Sequence, residues 1–505
     1  MIRFLGPGPA AVLAFLACVP AAAQDGGWAQ KRLSFSKEFE DARKDAQRES
    51  LVKGLAALAP ADESGRAELA KLVVTALTIE LNEKKELEVS GPVLDACEEA
   101  LRSCSGKKSV EFLTKMAKSS PQWRIRFHVI RALNRLDDAE VLETLAHLTD
   151  DKEPRVQVAA LDALGTRKDA RRWAEAYWKV VKDAKASWEP KVSALRALGA
   201  SADEAQVKPL VDHLRNLAKS EGRLREETAA ALRTLTGKEG SVEAAGWDAI
   251  LAEKKQVASG AAAGQVVMTG AKPANFYGIT TASTKIFFIL DVSGSMQEPA
   301  SEPPLQDKGV TLSGVGGGKP SAKEDALVKL KKELVDDKKV TTRIESAKKE
   351  LVNSIYNLSP GVMFNIVTFG TGAKPWQAKM VAASPDNKLA AIQYLHGVQA
   401  DHMNTNTWEA LELAMGIGDR QGEFASSLGG ADTCYLLSDG APTGGKLADP
   451  KRILEEVDKV IKLRKFTIHC VCLGDPDKAK EYKMNPKFLE DLAKLTGGKF
   501  VHVKQ

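Results

Sequence analysis

The sequence predicts a two-part chain, an all-α half built of helical repeats followed by an α/β half with buried parallel strands. Three observations carry this. From about residue 30 to 255, apolar residues recur at helical spacing, strand signals are few, and one motif repeats. Residues 258–264 (Ala-Ser-Gly-Ala-Ala-Ala-Gly) then break the pattern as a flexible stretch would. Beyond Lys285, continuous apolar runs of strand length alternate with amphipathic helices.

Composition bounds the problem first. A chain of 505 residues has room for two to four domains. With 44% hydrophobic and 28% charged residues, it is neither wholly disordered nor a polytopic membrane protein. The 72 basic and 67 acidic residues leave a net charge of +5, too small an excess to imply a nucleic-acid partner. Six cysteines in this length exclude a disulfide scaffold.

Residues 1–23 read as a secretory signal peptide. Arg3 supplies a basic tip, an apolar run extends from about Ala10 to Val19, and small residues precede a cut after Ala23. The run is too short to span the roughly 30 Å of a bilayer core as a helix. Export is therefore expected, to the periplasm or the medium, with no transmembrane segment in the mature chain. Cys18 as a lipid-modified N-terminus is the variant reading, and Phe15-Leu16-Ala17-Cys18 fits a lipobox poorly. The remaining cysteines (Cys97, Cys104, Cys434, Cys470 and Cys472) are odd in number and read as buried free thiols. Cys97 and Cys104 lie two helical turns apart, about 10 Å, beyond disulfide reach. No Cys/His cluster suggests zinc.

Residues 24–255 form the expected helical-repeat domain. Arg124-Ile-Arg-Phe-His-Val-Ile-Arg-Ala-Leu133 is similar to Arg155-Val-Gln-Val-Ala-Ala-Leu-Asp-Ala-Leu164, to Lys191–Leu198 and to Glu227–Leu235. The aligned leucines Leu133, Leu164, Leu198 and Leu235 are 31, 34 and 37 residues apart. Each motif opens a helix, and a second amphipathic helix follows. Such pairs stack into an α-solenoid, and the stretch resembles HEAT or armadillo-like repeats. The plainer alternative is an irregular helical bundle. Ala132, Ala163 and Ala197 let neighbouring helices approach closely. His128, His147 and His213 are isolated, and Trp123, Trp173, Trp178 and Trp188 read as core or rim. Residues 256–283 are the linker, with Asn275–Thr280 packing on the next domain.

The α/β domain, 284–505, opens with the strand Lys285–Leu290 and runs into Asp291-Val-Ser-Gly-Ser-Met296. A carboxylate and two hydroxyls at i, i+2 and i+4 beyond a buried strand can converge on one hard cation, where open α/β sheets place their ligands. Asn404-Thr405-Asn406 puts a hydroxyl just before an apolar-periodic helix. Thr433–Ser438 is a second buried strand, ending in Asp439-Gly440.

These three parts, in this order, resemble a von Willebrand factor type A domain with a metal-ion-dependent adhesion site. The segments Arg343–Leu351, Phe364–Phe369, Phe466–Gly474 and Leu492–Gly498 agree with it. The resemblance implies a doubly wound, Rossmann-like fold. It implies metal ligation by Asp291, Ser293, Ser295, Thr405 and Asp439. Ser293 and Ser295 would bind directly, Asp291 and Asp439 directly or through water, and Thr405 according to the domain's state. An all-oxygen set suits Mg²⁺, with Mn²⁺ and Ca²⁺ as alternatives. The coordination position left open would take an Asp or Glu carboxylate from a protein partner. Met403-Asn404 stands where many relatives have glycines, which leaves Thr407 as a weaker alternative ligand. Residues 297–340 are an insertion directly after the metal loop, either a surface loop or a partner-selecting lid. Its charged end, with nine basic and seven acidic residues from Lys323 to Glu350, reads as a solvated face.

Catalysis is not expected. Ser293 lacks a nucleophile elbow and an evident His partner, and no phosphate-binding loop occurs. The expected function is an exported, metal-dependent protein-binding module with helical repeats as a second binding platform. The alternative is a scaffold whose repeats bind while the metal only braces the loops.

Overall fold

The computed structural model describes every residue except 1–20, 85–90, 239, 241, 260–273, 301–321, 337–338, 401–402, 417–430, 462–464, 476–478, 480–483 and 505. Most of the expected signal peptide, the core of the linker and most of the insertion lie outside the described residues. Two compact units result. One comprises residues 1–168 and 175–182, the other 169–174 and 183–505. The second unit contains the last helical repeats together with the sheet, so the compact units divide the chain elsewhere than the change in composition does.

The first unit is helical throughout, from Ala21–Asp41 to Pro154–Gly165, with part of the helix Ala174–Lys182. Helix Trp123–Leu133 buries Phe127, Val129 and Ile130 while Arg126 donates to both oxygens of Asp151, at 2.9 and 2.7 Å. His128 is a packing residue, buried with Nδ1 2.7 Å from Glu98 Oε1.

In the second unit the helices Trp188–Ala200, Val207–Asn216, Gly222–Thr236 and Ala244–Ser259 precede the strands. The last of them runs four residues past the expected start of the linker. Close approach of repeat helices occurs at Gly199, where an added Cβ would lie 2.8 Å from Ala231 Cα. A hairpin of β1 (Ala274–Phe276) and β2 (Ile279–Thr281) follows. Its two-residue turn has φ of 48° at Tyr277 and 79° at Gly278, the backbone that a tight hairpin twist requires. Phe276 packs on Phe288 and Tyr435, so this segment does rest on the α/β domain.

The main sheet contains β3 (Lys285–Asp291), β4 (Met363–Phe369), β5 (Ala373–Pro375), β6 (Val381–Ala382), β7 (Thr433–Ser438), β8 (Thr467–Leu473) and β9 (Phe500–Val503). Its order is β5-β4-β3-β7-β8-β9, with β6 also on β4. The strands β4, β3, β7, β8 and β9 are parallel. Side chains alternate between faces. Ile286, Phe288 and Leu290 join the core under helices Arg343–Asn357 and Pro385–Gly397. Phe287 and Ile289 join the opposite core under Thr407–Met415, Pro450–Ile461 and Pro486–Thr496. Helices on both faces of a mostly parallel sheet make the doubly wound architecture that the sequence implies. All five described cysteines are free and buried.

The expected solvated face between Lys323 and Glu350 holds for Asp325, Lys329, Lys332, Glu333 and Lys339, which are exposed, and is corrected for the helix that begins at Arg343. Leu327 and Val335 are in the core, and in helix Arg343–Asn357 even Arg343, Lys349 and Glu350 are buried. The cause is position. This helix lies against the sheet, with the β1–β2 hairpin and its neighbouring helices around it, so its charged side chains find partners in protein. Glu350, for example, accepts from the Tyr277 N–H at 3.0 Å.

Buried charges at the amino ends of the strands join the last repeats to the sheet. Arg223 donates to Glu227 at 2.6 Å, to Thr467 Oγ1 and, at 3.0 Å, to the Lys465 carbonyl. Glu226 accepts from Thr281 Oγ1 at 2.6 Å and from the Ala282 N–H. Gly222 is required here, because a Cβ would lie 1.7 Å from the Ala282 carbonyl oxygen.

Two predictions follow from this packing. Arg223→Ala leaves Glu227 paired with Arg196, at 2.9 and 2.7 Å, but takes the donors from Thr467 Oγ1 and the Lys465 carbonyl, and should destabilise the protein by about 1–3 kcal/mol in chemical denaturation. An unchanged midpoint would mean that the junction contributes nothing. The second concerns acid. His469 on β8 is buried and neutral, its Nδ1 accepting from the Lys499 N–H at 3.0 Å, and burial lowers its pKa to about 3. The folded value lies below the unfolded one, so the unfolded chain takes up this proton first and stability falls as pH drops below about 6.5. Between pH 7 and pH 5, His469→Asn should spare the protein about 2 kcal/mol of the wild-type loss. Urea midpoints at the two pH values measure this, and parallel losses in both proteins would refute it.

Candidate metal centre

The site is built at the carboxyl ends of β3 and β7. The chain passes from β3 to β4 on one side and reaches β7 on the other, so strand order reverses at β3, where open α/β sheets form their binding crevice. The Val292 N–H donates to the Phe369 carbonyl at 2.8 Å and turns the chain after β3.

Asp291 is fully buried. Its Oδ1 accepts from the Ser293 N–H at 2.8 Å, and its Oδ2 accepts from Ser438 Oγ at 2.6 Å. Each oxygen retains further lone-pair capacity. Ser293 is buried and Ser295 half-buried, with their hydroxyl oxygens 3.1 Å apart. Asp439 is buried, and the nearby Ser295 hydroxyl favours its ionised form. Gly440 follows it with φ of 95° and lies so close to the Asn485 carbonyl that a Cβ would be 2.7 Å from its oxygen. No side chain other than hydrogen fits that turn.

Thr405 lies buried on the adjoining loop. Its N–H donates to Thr443 Oγ1 at 2.9 Å, and its carbonyl accepts from the Thr443 N–H at 3.0 Å. Asn406 caps helix Thr407–Met415 by accepting from the Glu409 N–H, while its own N–H donates to the Gly370 carbonyl at 2.7 Å. The loops after β3, β4 and β7 are therefore tied together by backbone bonds. Asp291, Ser293, Ser295 and Asp439 form one hydrogen-bonded cluster, and Thr405 stands on the loop stitched to it. Thr407 is the first residue of the helix and is buried.

Electrostatics define what the cluster can hold. Burial, followed by the charge of Asp439, pushes the Asp291 carboxyl up to about 7. Burial raises Asp439 too, against the opposing Ser295 hydrogen bond and the Arg343 charge. Two carboxylates held together in the interior are costly unless a cation compensates them. The donor set of two carboxylates and hydroxyls fits a hard divalent ion. Among the described residues no group of three or more His, Cys, Asp and Glu side chains gathers elsewhere to hold a metal.

The sequence reading missed four participants. Ser438 and Thr443 flank the recognised Asp439-Gly440 and orient the loops. Arg343 donates to Asp439 Oδ2 at 3.4 Å and to the Ser295 carbonyl at 3.2 Å. Gly474 lies against the same guanidinium. Arg343 stood in a quoted helix segment, with nothing in that segment to aim it at the cluster.

Comparisons with known proteins agree with this architecture. Residues 334–501 match the von Willebrand factor type A domain, and residues 95–165 match HEAT repeats. The first match begins beyond β3, which the structure shows as the central strand of the same sheet. The chain is 29% identical over 157 residues to inter-alpha-trypsin inhibitor heavy chain H4 of Homo sapiens, covering 31% of this chain and 16% of that one. The Mus musculus heavy chain 4 is 30% identical over 158 residues, with 31% and 16% covered. The chain thus spans about a sixth of the length of these curated relatives. Among solved structures, BatB from Bacteroides thetaiotaomicron aligns at 14% identity and a TM-score of 0.28, covering 44% of this chain and 91% of that one. Human deoxyhypusine hydroxylase aligns at 15% identity and a TM-score of 0.25, with 44% and 92% covered. Sheet, helices and family matches together show that the chain contains a von Willebrand factor type A domain, with HEAT repeats ahead of it.

Proposed function

We propose that the protein is an exported, non-enzymatic protein-binding module. Asp291, Ser293, Ser295, Thr405 and Asp439 hold a divalent cation, Mg²⁺, whose remaining position takes an Asp or Glu carboxylate of a protein partner. The observation that carries this reading is the pair of buried carboxylates bridged to two hydroxyls at the strand ends. The similarity to heavy chains that share this domain supports the interaction role.

The chain's own residues do most of the work. Ser438 and the Ser293 N–H fix both oxygens of Asp291. Ser293 and Ser295 present neutral oxygen donors, which keeps the negative charge of the set at two. The Thr405 loop, tied to Thr443, brings a third hydroxyl to the rim. The bound ion supplies a point of positive charge at which a partner's carboxylate can be held directly. The HEAT repeats offer a second, extended surface for protein contact. Ser293 is hydrogen-bonded to Ser295 and not to a histidine, so its hydroxyl serves as a ligand better than as a nucleophile.

The scaffold reading, in which the metal only braces loops, draws on the backbone ties between the Thr405 and Thr443 loops. Two measurements separate the readings. Isothermal titration with Mg²⁺ or Mn²⁺ should show one site, and Asp291→Ala or Ser293→Ala should weaken it by about tenfold or more while the circular dichroism spectrum is kept. Capture of partners from envelope extract should then be lost with Asp291→Ala and with EDTA. Capture indifferent to both would favour the scaffold. Export predicts its own readout: intact-mass analysis of secreted protein should show a chain beginning at Gln24. A retained leader, or a lipid mass on Cys18, would correct that assignment. No described helix is long and apolar enough to cross a membrane.

A further inference from the structure

One cation in the cluster belongs to the protein itself. Arg343 is the first residue of helix Arg343–Asn357, directly after the insertion, and is only 2% exposed. Its backbone N–H donates to the Glu298 carbonyl at 3.0 Å, and Pro299 bridges Thr342, so the start of this helix is fastened to the end of the loop that carries Ser293 and Ser295. Its Nη1 reaches two strand-end loops at once: the Ser295 carbonyl at 3.2 Å after β3, and Asp439 Oδ2 at 3.4 Å after β7. Its Nη2 lies 3.9 Å from Met484 Sδ. The far wall is Gly474 after β8, with φ of 135°. A Cβ there would lie 3.2 Å from Nη2 and 2.6 Å from Met484 Cε. The pocket for the guanidinium thus depends on a missing side chain.

The charge count follows. With both carboxylates ionised, as a bound cation requires, Asp291 and Asp439 contribute −2 and Arg343 contributes +1, so the protein's own share is −1. With a divalent cation the cluster carries +1. Without the arginine the loaded centre would be neutral, and a partner's carboxylate would meet only the local field of the ion. Nη1 alone serves the carbonyl and the carboxylate, so a lysine ammonium keeps the charge and lacks only the second nitrogen that lies against Met484.

We propose that Arg343 sets the charge of the metal centre, holding the two loops in place and leaving the loaded site cationic, so that a partner carboxylate neutralises it. This rests on the metal-dependent reading above. Its signature is opposite in sign for the two ligands. Arg343 repels the metal and attracts the carboxylate, so its removal should tighten one and weaken the other. A merely structural brace would weaken both.

The experiment uses the full chain, Mn²⁺ as the metal probe and acetate as the carboxylate probe. Mn²⁺ affinity is read by electron paramagnetic resonance. Acetate binding to the Mn²⁺-loaded protein is read by the fall in water-proton relaxation enhancement as it displaces coordinated water. Arg343→Gln should bind Mn²⁺ about tenfold more tightly and acetate about tenfold more weakly, the scale expected when a neighbouring charge within about 4–6 Å is removed. Arg343→Lys, which keeps the charge, should stay near wild type in both. Loss of both affinities in Arg343→Gln, or no change in either, overturns the proposal. If Arg343→Gln does not fold, Arg343→Lys decides. An Arg343→Lys protein that folds and yet loses both affinities assigns the side chain a bracing role only. A wild-type protein that binds no Mn²⁺ overturns the metal reading itself, and this inference falls with it, an outcome distinct from an altered variant beside a competent wild type.

Discussion

The structure turns on the burial of two carboxylates at neighbouring strand ends. Asp291 and Asp439 lie in the interior, and each raises the cost of the other's charge. Such a pair persists only where surrounding groups compensate it. Ser438, Ser295, the Ser293 N–H and Arg343 all spend hydrogen bonds on it. The surrounding segments are in turn bonded together, Val292 after β3 to Phe369 at the end of β4, Asn406 beside Thr405 to Gly370 after β4, and Thr443 after β7 to Thr405. The rigidity of the crevice is a consequence of that electrostatic demand, since one misplaced loop would leave a buried charge uncovered.

The sheet supplies what the loops cannot. Parallel pairing of β3 with both β4 and β7 aligns Leu290 with Thr368 and Leu437, so the loops leave the sheet at one level. Two apolar cores, one on each face, fix β3 from both sides. The amino ends of the same strands are held differently, by Arg223 and Glu226 from the last repeats. A seven-residue strand spans about 20 Å, so the junction with the repeats and the candidate metal centre lie at opposite ends of the same strands. The candidate centre and the junction therefore share strands but no side chains.

The legible parts of this structure were those encoded locally. The strand before Asp291, the i, i+2, i+4 spacing of its oxygens, the hydroxyl before helix Thr407–Met415 and the strand before Asp439 each sit within a dozen residues. Local pattern suffices for them. Arg343 was illegible because some forty residues of insertion separate it from Ser295, and its target on β7 is 96 positions away. Gly474 was illegible because its reason is an arginine from another element. The junction residues Arg223 and Glu226 carry no local signal that sets them apart from an ordinary charged helix face, and only tertiary structure shows that face against the sheet. The same limit made the helix from Arg343 to Glu350 look solvated. Charge on a helix reports exposure only when the neighbours are water, and here they were Tyr277 and the metal loop.

A net charge of +5 spread over 505 residues gives a distant acidic partner little to follow. Under the proposed function, recognition of such a partner would be local, and a local field is strongest where water is excluded. The crevice meets that condition, because Ser293, Thr405 and Asp439 are buried while Ser295 reaches the rim. Asn404 and Met403, the latter 94% exposed, stand beside Thr405 on the solvent side. On the proposed reading, charge in the crevice would select a carboxylate, and Met403 would be among the first groups that its bearer meets.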